Sequence, residues 1–210
     1  MKGYKALKMD MSSKYGNMIY EVGKKYTITG ELEMCENGFH FCKCLENVEC
    51  YYTITKSRIF EVEAEGEIID KYNQSCTESI ILIRELSKEE IRQYFADNKE
   101  HILKKSWYCI KALADQGLCL DKLVNDENSY VRIAVARQGY GLETLIHDKD
   151  PWVRVAVVKQ KYGLDILIHD LSPEIRMAVA CQGYGLNILA NDENMFVRMT
   201  AAMQKHNLNK

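Results

Sequence analysis

Four segments in the second half of the chain follow one pattern: NSYVRIAVARQ at 128–138, DPWVRVAVVKQ at 150–160, SPEIRMAVACQ at 172–182 and NMFVRMTAAMQ at 194–204. Each begins 22 residues after the one before, and the glutamine that ends them recurs once upstream, at Gln116. Such a period is typical of a solenoid, in which each unit buries its apolar face against its neighbours. The sequence therefore predicts an all-α stack of short, 22-residue helical repeats.

Each repeat carries its own helix signals. The residue before the helix has a side chain that can accept hydrogen bonds from free backbone N–H groups, as in Asn128, Asp150, Ser172 and Asn194. Proline follows in two repeats, at the first helical position, where its missing N–H costs nothing. A glycine follows the helix at the same position of three repeats, Gly141, Gly163 and Gly185. We expect it to end the helix with positive φ. The apolar segment after each glycine predicts a second helix of about two turns.

The run Asp148-x-Asp150-Pro151-x-Val153-Arg154-x-Ala156-Val157 resembles the leucine-rich repeat variant and HEAT-like families. The resemblance covers residues 107–208. It implies a right-handed superhelix that serves as a binding scaffold and by itself implies no chemistry. This chain differs from the usual variant repeat in being shorter between the two helices, where it has Gly-Tyr-Gly.

Charged residues of both signs also recur with the repeat. The two columns are Arg132, Arg154, Arg176 and Arg198, and Asp126, Asp148, Asp170 and Asp192. The helix that carries the arginine is otherwise largely apolar, and a buried guanidinium needs a carboxylate partner. We therefore expect an Asp–Arg ladder inside the stack; the alternative is a column of cations that binds phosphate groups.

A tyrosine occupies one position of three repeats, at Tyr140, Tyr162 and Tyr184. These rings are candidate binding residues that could stack on bases or peptide side chains. The alternative is that each ring packs against the next repeat.

The last repeat carries Met195, Phe196, Met199 and Met203. In earlier repeats the column of Met195 holds serine or proline, at 129, 151 and 173, and that of Met203 holds basic residues at 137 and 159. Flexible thioethers suit a surface that adapts to a partner or to a second copy of the chain. We expect such a surface here, because no polar capping repeat follows it in this sequence. The alternative is that the tail 205–208 folds back and buries the methionines.

The first half of the chain lacks this period. Alternating β-branched and aromatic residues predict short strands at 25–29, 58–64 and 79–83. Glycines are expected at the turns, namely Gly16, Gly23, Gly30, Gly38 and Gly66. Ser87 and Glu90 have the spacing of a capping box that starts a helix reaching about Lys105. The predicted class is α+β: a β-rich domain at 1–84, a capping helix at 85–106 and helical repeats at 107–210.

Five potential metal ligands lie close together in the first half: Cys35, His40, Cys42, Cys44 and Cys50. Structural zinc sites usually present two close cysteine pairs, and this segment has only one. We therefore expect free thiols and no metal. Cys42 and His40 could also form a nucleophile and base, but no third group to orient the imidazole is evident.

The first half also contains Lys2-Gly3-Tyr4-Lys5-Ala6, Cys35-x-x-Gly38-Phe39-His40-x-Cys42 and Phe60-Glu61-Val62-Glu63-Ala64. Together they resemble an uncharacterised domain of bacteriophage and prophage proteins. More remotely, the motifs are similar to ADP-ribosyltransferase-like folds, in which a groove holds NAD. That similarity implies a site made of His40, Tyr52 or its neighbour Tyr51, and a strand glutamate, Glu63 or one of Glu61 and Glu65. The alternative is that the aromatic residues are core and the glutamates face solvent.

Composition narrows the function classes. The 210 residues carry a net charge of −2, and residues 85–210 hold 17 basic and 17 acidic residues, which weighs against general binding of nucleic acid. No apolar stretch predicts a membrane span or a signal peptide, so we expect a cytoplasmic protein with reduced cysteines.

The leading hypothesis is therefore a phage-encoded or mobile-element-encoded interaction protein. It would bind a host protein or complex, in one version as an inhibitor of host defence, and would need no cofactor. The main alternative is an ADP-ribosyltransferase-like enzyme whose repeats select the target. A weaker alternative is binding of nucleic acid by the solenoid.

Overall fold

The computed structural model describes residues 1–14 and 18–208. The chain divides into two compact units, Met1–Gln116 and Gly117–Lys210. An antiparallel sheet forms the first part, and a run of short helices follows it, which confirms the predicted α+β class. No helix of the described residues is both long and apolar enough to cross a membrane.

The N-terminal unit is built on five strands: β1 (Lys2–Leu7), β2 (Lys25–Thr27), β3 (Phe39–Phe41), β4 (Arg58–Lys71) and β5 (Gln74–Glu85). All pairings are antiparallel, in the order β1-β4-β5-β2, and β3 also pairs with β5. Two 3₁₀ helices, Leu45–Cys50 and Ile54–Lys56, connect β3 to β4.

A backbone bridge joins strand β1 to the residue that follows β3. The N–H of Tyr4 on β1 donates to the carbonyl of Cys42 just after β3 at 2.7 Å, and the N–H of Cys42 donates back at 2.8 Å. Strands β1, β4, β5 and β3 therefore form a closed circuit of hydrogen bonds. Their core is aliphatic and aromatic: Leu7, Tyr20, Phe39, Phe41, Phe60, Val62, Ala64, Ile80 and Leu82.

The predicted strands exist, but two of them are longer than the local pattern indicates. Strands β4 and β5 form one long hairpin that turns at Tyr72 and Asn73. Gly66 lies inside β4, at a break in the register between Glu65 and Ile68, and not at a turn as predicted. Its positive φ of 82° is compatible with such a bulge. The predicted turn at Gly16 falls outside the described residues.

Two helices complete the N-terminal unit, α1 (Lys88–Ile102) and α2 (Trp107–Asp115). The predicted capping box is present: Ser87 Oγ accepts from the N–H of Glu90, and the Glu90 carboxylate accepts from the N–H of Ser87. Helix α1 ends at Ile102, slightly earlier than the predicted Lys105. The compact unit thus extends beyond the β-rich segment to Gln116.

The C-terminal unit repeats one pattern, a four-residue helix followed by a longer one. The bounds are α3 (Leu120–Leu123), α4 (Ser129–Arg137), α5 (Leu142–Leu145), α6 (Pro151–Lys159), α7 (Leu164–Leu167), α8 (Pro173–Cys181), α9 (Leu186–Leu189) and α10 (Met195–Leu208). Each long helix packs against the next, α4 on α6, α6 on α8 and α8 on α10. Valine, isoleucine and alanine fill these contacts, as in the fully buried Val131, Val153, Ile175 and Val197.

Three of the four predicted N-cap residues make a side-chain capping bond. The side chains of Asn128, Asp150 and Asn194 accept a hydrogen bond from the backbone N–H two residues later. Ser172 makes no such bond, because its hydroxyl donates instead to the carboxylate of Glu174. Ser172 thus occupies the predicted N-cap position, but without the capping hydrogen bond.

The glycines play a different role from the one predicted. Gly141, Gly163 and Gly185 have positive φ but begin the short helices, as their N-caps. The preceding long helices end at Arg137, Lys159 and Cys181, and another left-handed column follows two residues later, at Gly139, Lys161 and Gly183. Two residues with left-handed backbone conformation, separated by a single residue, thus make the turn between the helices.

Candidate functional site

The arginine column forms the predicted ladder, and each rung joins two neighbouring repeats. Arg132 donates through Nε and Nη2 to both oxygens of Asp148, at 2.6 and 2.8 Å. Arg154 binds Asp170 and Arg176 binds Asp192 in the same way. The carboxylate lies 16 residues after the arginine, in the following repeat. The phosphate-binding alternative is therefore wrong for these three arginines, whose donors face protein acceptors.

The last arginine of the column differs. Arg198 is exposed, and its Nη1 donates to the carbonyls of Asp192 and Glu193 at 2.7 and 3.0 Å. Among residues 1–14 and 18–208, no carboxylate forms an ion pair with its guanidinium. The Nε and Nη2 groups, which bind aspartate in the three earlier repeats, lack that acceptor here.

We define the C-terminal face as Met195, Arg198, Met199, Ala202 and Met203 of α10. Equivalent positions of earlier repeats show why Met199 and Ala202 are exposed. Ile133 and Val155, in the column of Met199, are 9% and 8% exposed, whereas Met199 is 53% exposed. Ala136 and Val158, in the column of Ala202, are buried, and Ala202 is exposed. The following repeat covers these columns, and the described residues contain none after α10.

The tail continues helix α10 to Leu208 and leaves the methionines exposed to solvent. Met195, Met199 and Met203 are each more than half exposed. The Lys205 ammonium donates to the side-chain oxygen of Asn187, on the short helix of the same repeat. The fold-back alternative is therefore wrong for the tail as far as Leu208.

Aromatic side chains also lie on the surface of the repeats. Tyr140, Tyr162 and Tyr184 are exposed to nearly the same extent, about two fifths of each side chain, so each is partly packed and partly accessible. Sequence reasoning named Phe196 but missed the two exposed aromatic residues that share its column at the second position of the long helices, Tyr130 and Trp152. The signal was available, because they share one column and follow the N-cap by two residues.

The N-terminal unit holds an open cavity of about 600 Å³. Strand β1, the residues around β3 and the first 3₁₀ helix with the segment after it provide most of its wall. Its aromatic lining consists of Tyr4, Tyr20, Phe41, Tyr51 and Tyr52. The polar groups include Lys5, Lys14, Cys35, Glu36, His40 and Cys42. This volume is typical of sites for small organic ligands.

Lys5 is the buried charge of this cavity. Its Nζ donates to the carbonyl of His40 at 2.7 Å and lies 5.1 Å from the centre of the Tyr20 ring. Burial lowers the pKa of Lys5 to about 8, because an ammonium loses its hydration there. Burial and the neighbouring Lys5 also lower the pKa of His40, whose Nε2 accepts from the backbone N–H of Cys35.

The structure brings together only part of the ADP-ribosyltransferase-like set. His40 and Tyr52 both line the cavity, as does Tyr51. Glu63 does not belong to the described lining: it is exposed on β4, between the buried Val62 and Ala64. Strand alternation therefore places Glu63 on the opposite face from the core.

The two other candidate glutamates are held in surface ion pairs. Glu61 binds Arg84, and Glu65 binds Lys25. The predicted site of histidine, tyrosine and glutamate is thus not assembled at the cavity.

The cysteines are free thiols in the structure. Burial raises the pKa of the Cys42 thiol to about 12, so it is protonated at neutral pH. Cys42 therefore has the wrong environment for the nucleophile considered from the sequence. Within the described parts of the chain, no group of three or more histidine, cysteine or acidic side chains is placed to hold a metal ion.

Residues 1–93 match the model of a family described as a domain of unknown function, DUF7666. The match spans the whole sheet and the beginning of α1. Comparison with curated proteins finds no match, and comparison with solved structures finds none either. An uncharacterised domain in the first half agrees with the sequence-based expectation, and no repeat family is identified for the helices.

Proposed function

We propose that this protein is an interaction protein that binds a partner protein through the C-terminal face. The observation that carries the proposal is Arg198, which lacks the carboxylate that all three preceding arginines of its column bind. Beside it lie Met199 and Ala202, whose columns are buried in most earlier repeats. Met195 and Met203 also lie beside it, in columns where the earlier repeats hold serine, proline, arginine, lysine or cysteine.

The ladder specifies the chemistry of the partner. In each earlier repeat the arginine receives an aspartate that lies two residues before a helix N-cap, while the following helix covers the apolar columns. The proposed partner therefore presents a helix with an apolar side and a carboxylate just before its first turn. Met195, Met199 and Met203 adapt to the shape of that helix, since their thioether side chains are flexible.

The proposal includes the two finer interpretations drawn from the sequence. The repeats would serve as a scaffold in the manner of leucine-rich repeat variant and HEAT-like proteins. A host protein is the first class of partner to examine, given the resemblance of the first half to a phage domain.

The test compares two variants of the full chain, Arg198→Glu and the triple variant Met195→Gln, Met199→Gln, Met203→Gln. The matched control is Ile166→Gln with Ile188→Gln, which removes equally exposed apolar side chains from the short helices. A candidate partner is captured, identified and titrated against all four proteins. We expect the wild type and the control to bind equally, and both face variants to lose at least about tenfold in affinity.

Charge exchange makes the test specific. Arg198→Glu should regain binding when the partner's aspartate or glutamate is replaced by arginine. Equal affinity of all four proteins contradicts the proposal, as does a large fall in the melting temperature of the face variants, which would assign the methionines to the core. Sedimentation of the protein alone tests whether the C-terminal face binds a second copy of the chain. Dimers that dissociate on Arg198→Glu would make the partner a second copy of this protein.

A further inference from the structure

The cavity of the N-terminal unit contains a positive charge without a negative partner. Lys5 is 7% exposed, and within the described part of the chain its ammonium donates a hydrogen bond to a neutral carbonyl, that of His40. The groups that act on it electrostatically are the thiols of Cys42 and Cys76, which burial keeps protonated. A buried ammonium is costly unless an anion compensates it. The described residues supply no such anion.

The other residues that line the cavity indicate the chemical character of the uncharged part of the ligand. Five aromatic rings line the cavity, and one of them, Tyr20, packs against Phe39 with ring centres 6.5 Å apart. Backbone and side-chain contacts fix the rim: the hydroxyl of Tyr52 accepts from the N–H of Lys14, and the Lys14 ammonium donates to the carbonyl of Tyr51. Rings held in this way favour a flat, unsaturated molecule, since aromatic faces and edges attract one another.

The charge of the lining indicates a monoanion. Of the described lining residues, Lys5 and Lys14 carry positive charge, Glu36 carries negative charge, and none is an arginine. Phosphate groups are usually bound by several donors, such as an arginine fork or the N-terminus of a helix. One buried ammonium matches a single carboxylate better than a doubly charged phosphate.

We propose that this cavity is a binding site for a small aromatic monocarboxylate, whose carboxylate accepts hydrogen bonds from Lys5 and whose ring lies among the tyrosines. The site is separate from the C-terminal face and independent of the function proposed for it. Binding would compensate the buried charge at neutral pH, where Lys5 is mostly protonated.

The experiment is a calorimetric titration of the full chain with benzoate, cinnamate and 2-naphthoate at millimolar concentration. Benzamide, butyrate and phenyl phosphate test the need for charge, ring and carboxylate in turn. We expect at least one aromatic carboxylate to bind, and to bind about tenfold or more tightly than these three compounds.

Lys5→Met should reduce the affinity for the carboxylate by about tenfold or more. The matched control, Lys2→Met, changes an exposed lysine on the same strand and should bind as the wild type does. A second measurement does not depend on the fold of a variant: in protein with ¹⁵N-labelled lysine, benzoate should shift the Nζ signal of Lys5 and not that of Lys2. Equal binding by Lys5→Met and wild type, tighter binding of phenyl phosphate, or no binding of any carboxylate overturns the proposal.

Discussion

Arg154 donates two hydrogen bonds to Asp170 in the next repeat, Nε to Oδ2 at 2.7 Å and Nη2 to Oδ1 at 3.0 Å. Its third nitrogen, Nη1, donates to the carbonyl of Asp148 in its own repeat at 2.6 Å. Asp170 in turn accepts from the backbone N–H of Ser172. One guanidinium therefore fixes the loop that precedes its own helix and the loop that precedes the next.

Arg154→Ala should lower the free energy of unfolding by about 3–5 kcal/mol, because it leaves the largely buried carboxylate of Asp170 without its partner. Urea denaturation followed by circular dichroism measures this. Arg198→Ala is the matched control, since it removes the same side chain where no carboxylate is bound, and it should cost about 1 kcal/mol or less. Equal losses in the two variants would contradict a role for the ion pair.

Gly163→Ala should destabilise the repeats by more than the same change at an open turn. Gly163 has a φ of 59°, and an added Cβ would overlap the Cδ1 of Ile146 in the preceding repeat. We expect a loss of about 2–3 kcal/mol, which sums backbone strain and displaced packing. Gly23→Ala is the control, because Gly23 has a φ of 81° with nothing within 4 Å of the new Cβ. A difference near zero between the two would show that Ile146 moves aside without cost.

Lys5→Met should change how stability depends on pH. Because burial lowers the pKa of Lys5 to about 8 from its usual 10.5, the unfolded chain binds a proton between these values that the folded chain has released. Wild-type stability therefore gains a contribution of about 3 kcal/mol as the pH rises through this window, and the gain is absent below it. Denaturation from about pH 7 to about pH 11 measures it.

The comparison with Lys5→Met is needed because other groups near the ammonium also titrate, among them Cys42, Cys76, His40 and Tyr20. They are present in both proteins, so the difference in stability between variant and wild type isolates the lysine. That difference should be largest and constant below about pH 8 and should shrink as the pH approaches 10.5. A constant difference over the whole range would mean that Lys5 titrates normally.

The eight cysteines should separate into kinetic classes when the native protein reacts with a thiol reagent. Cys35 and Cys181 are exposed and should react first, whereas Cys42, Cys76 and Cys109 are buried and should react only as the fold opens. Burial also raises the pKa of Cys109 to about 12, which leaves little thiolate at neutral pH. Mass spectrometry of timed samples identifies the modified residues. Rapid modification of Cys42 would contradict the buried position assigned to it.

Much of the helical unit could be predicted, because its sequence repeats every 22 residues. The columns of valine and arginine recur in each repeat, so the buried side and the charge ladder could be predicted without knowledge of the tertiary structure. What the pattern did not reveal was which aspartate each arginine binds. The sequence offers Asp148 six residues before Arg154 and Asp170 sixteen after it, and only the packing of α6 on α8 brings the later carboxylate to the guanidinium.

The cavity could not be predicted for a related reason. Lys5, His40 and Tyr52 are far apart along the chain, and each has an ordinary local context in the sequence. They meet because Tyr4 on β1 pairs with Cys42 beyond β3 and closes the circuit of strands. A lysine in the alternating segment Lys2–Leu7 predicts solvent exposure, whereas the closed sheet buries Lys5 and leaves Lys2 outside.

The forward pairing of arginine with the next aspartate gives the stack a polarity: removing a repeat from its C-terminal end creates a new end of the same kind. A chain shortened to residue 190 would retain Arg176 and lose Asp192, so the guanidinium of Arg176 would become the open donor, with Met177 beside it. An arginine without its forward aspartate is thus a feature that the loss of a whole repeat regenerates. Gain or loss of 22-residue units would therefore lengthen or shorten such a protein during evolution while preserving an end with an open guanidinium.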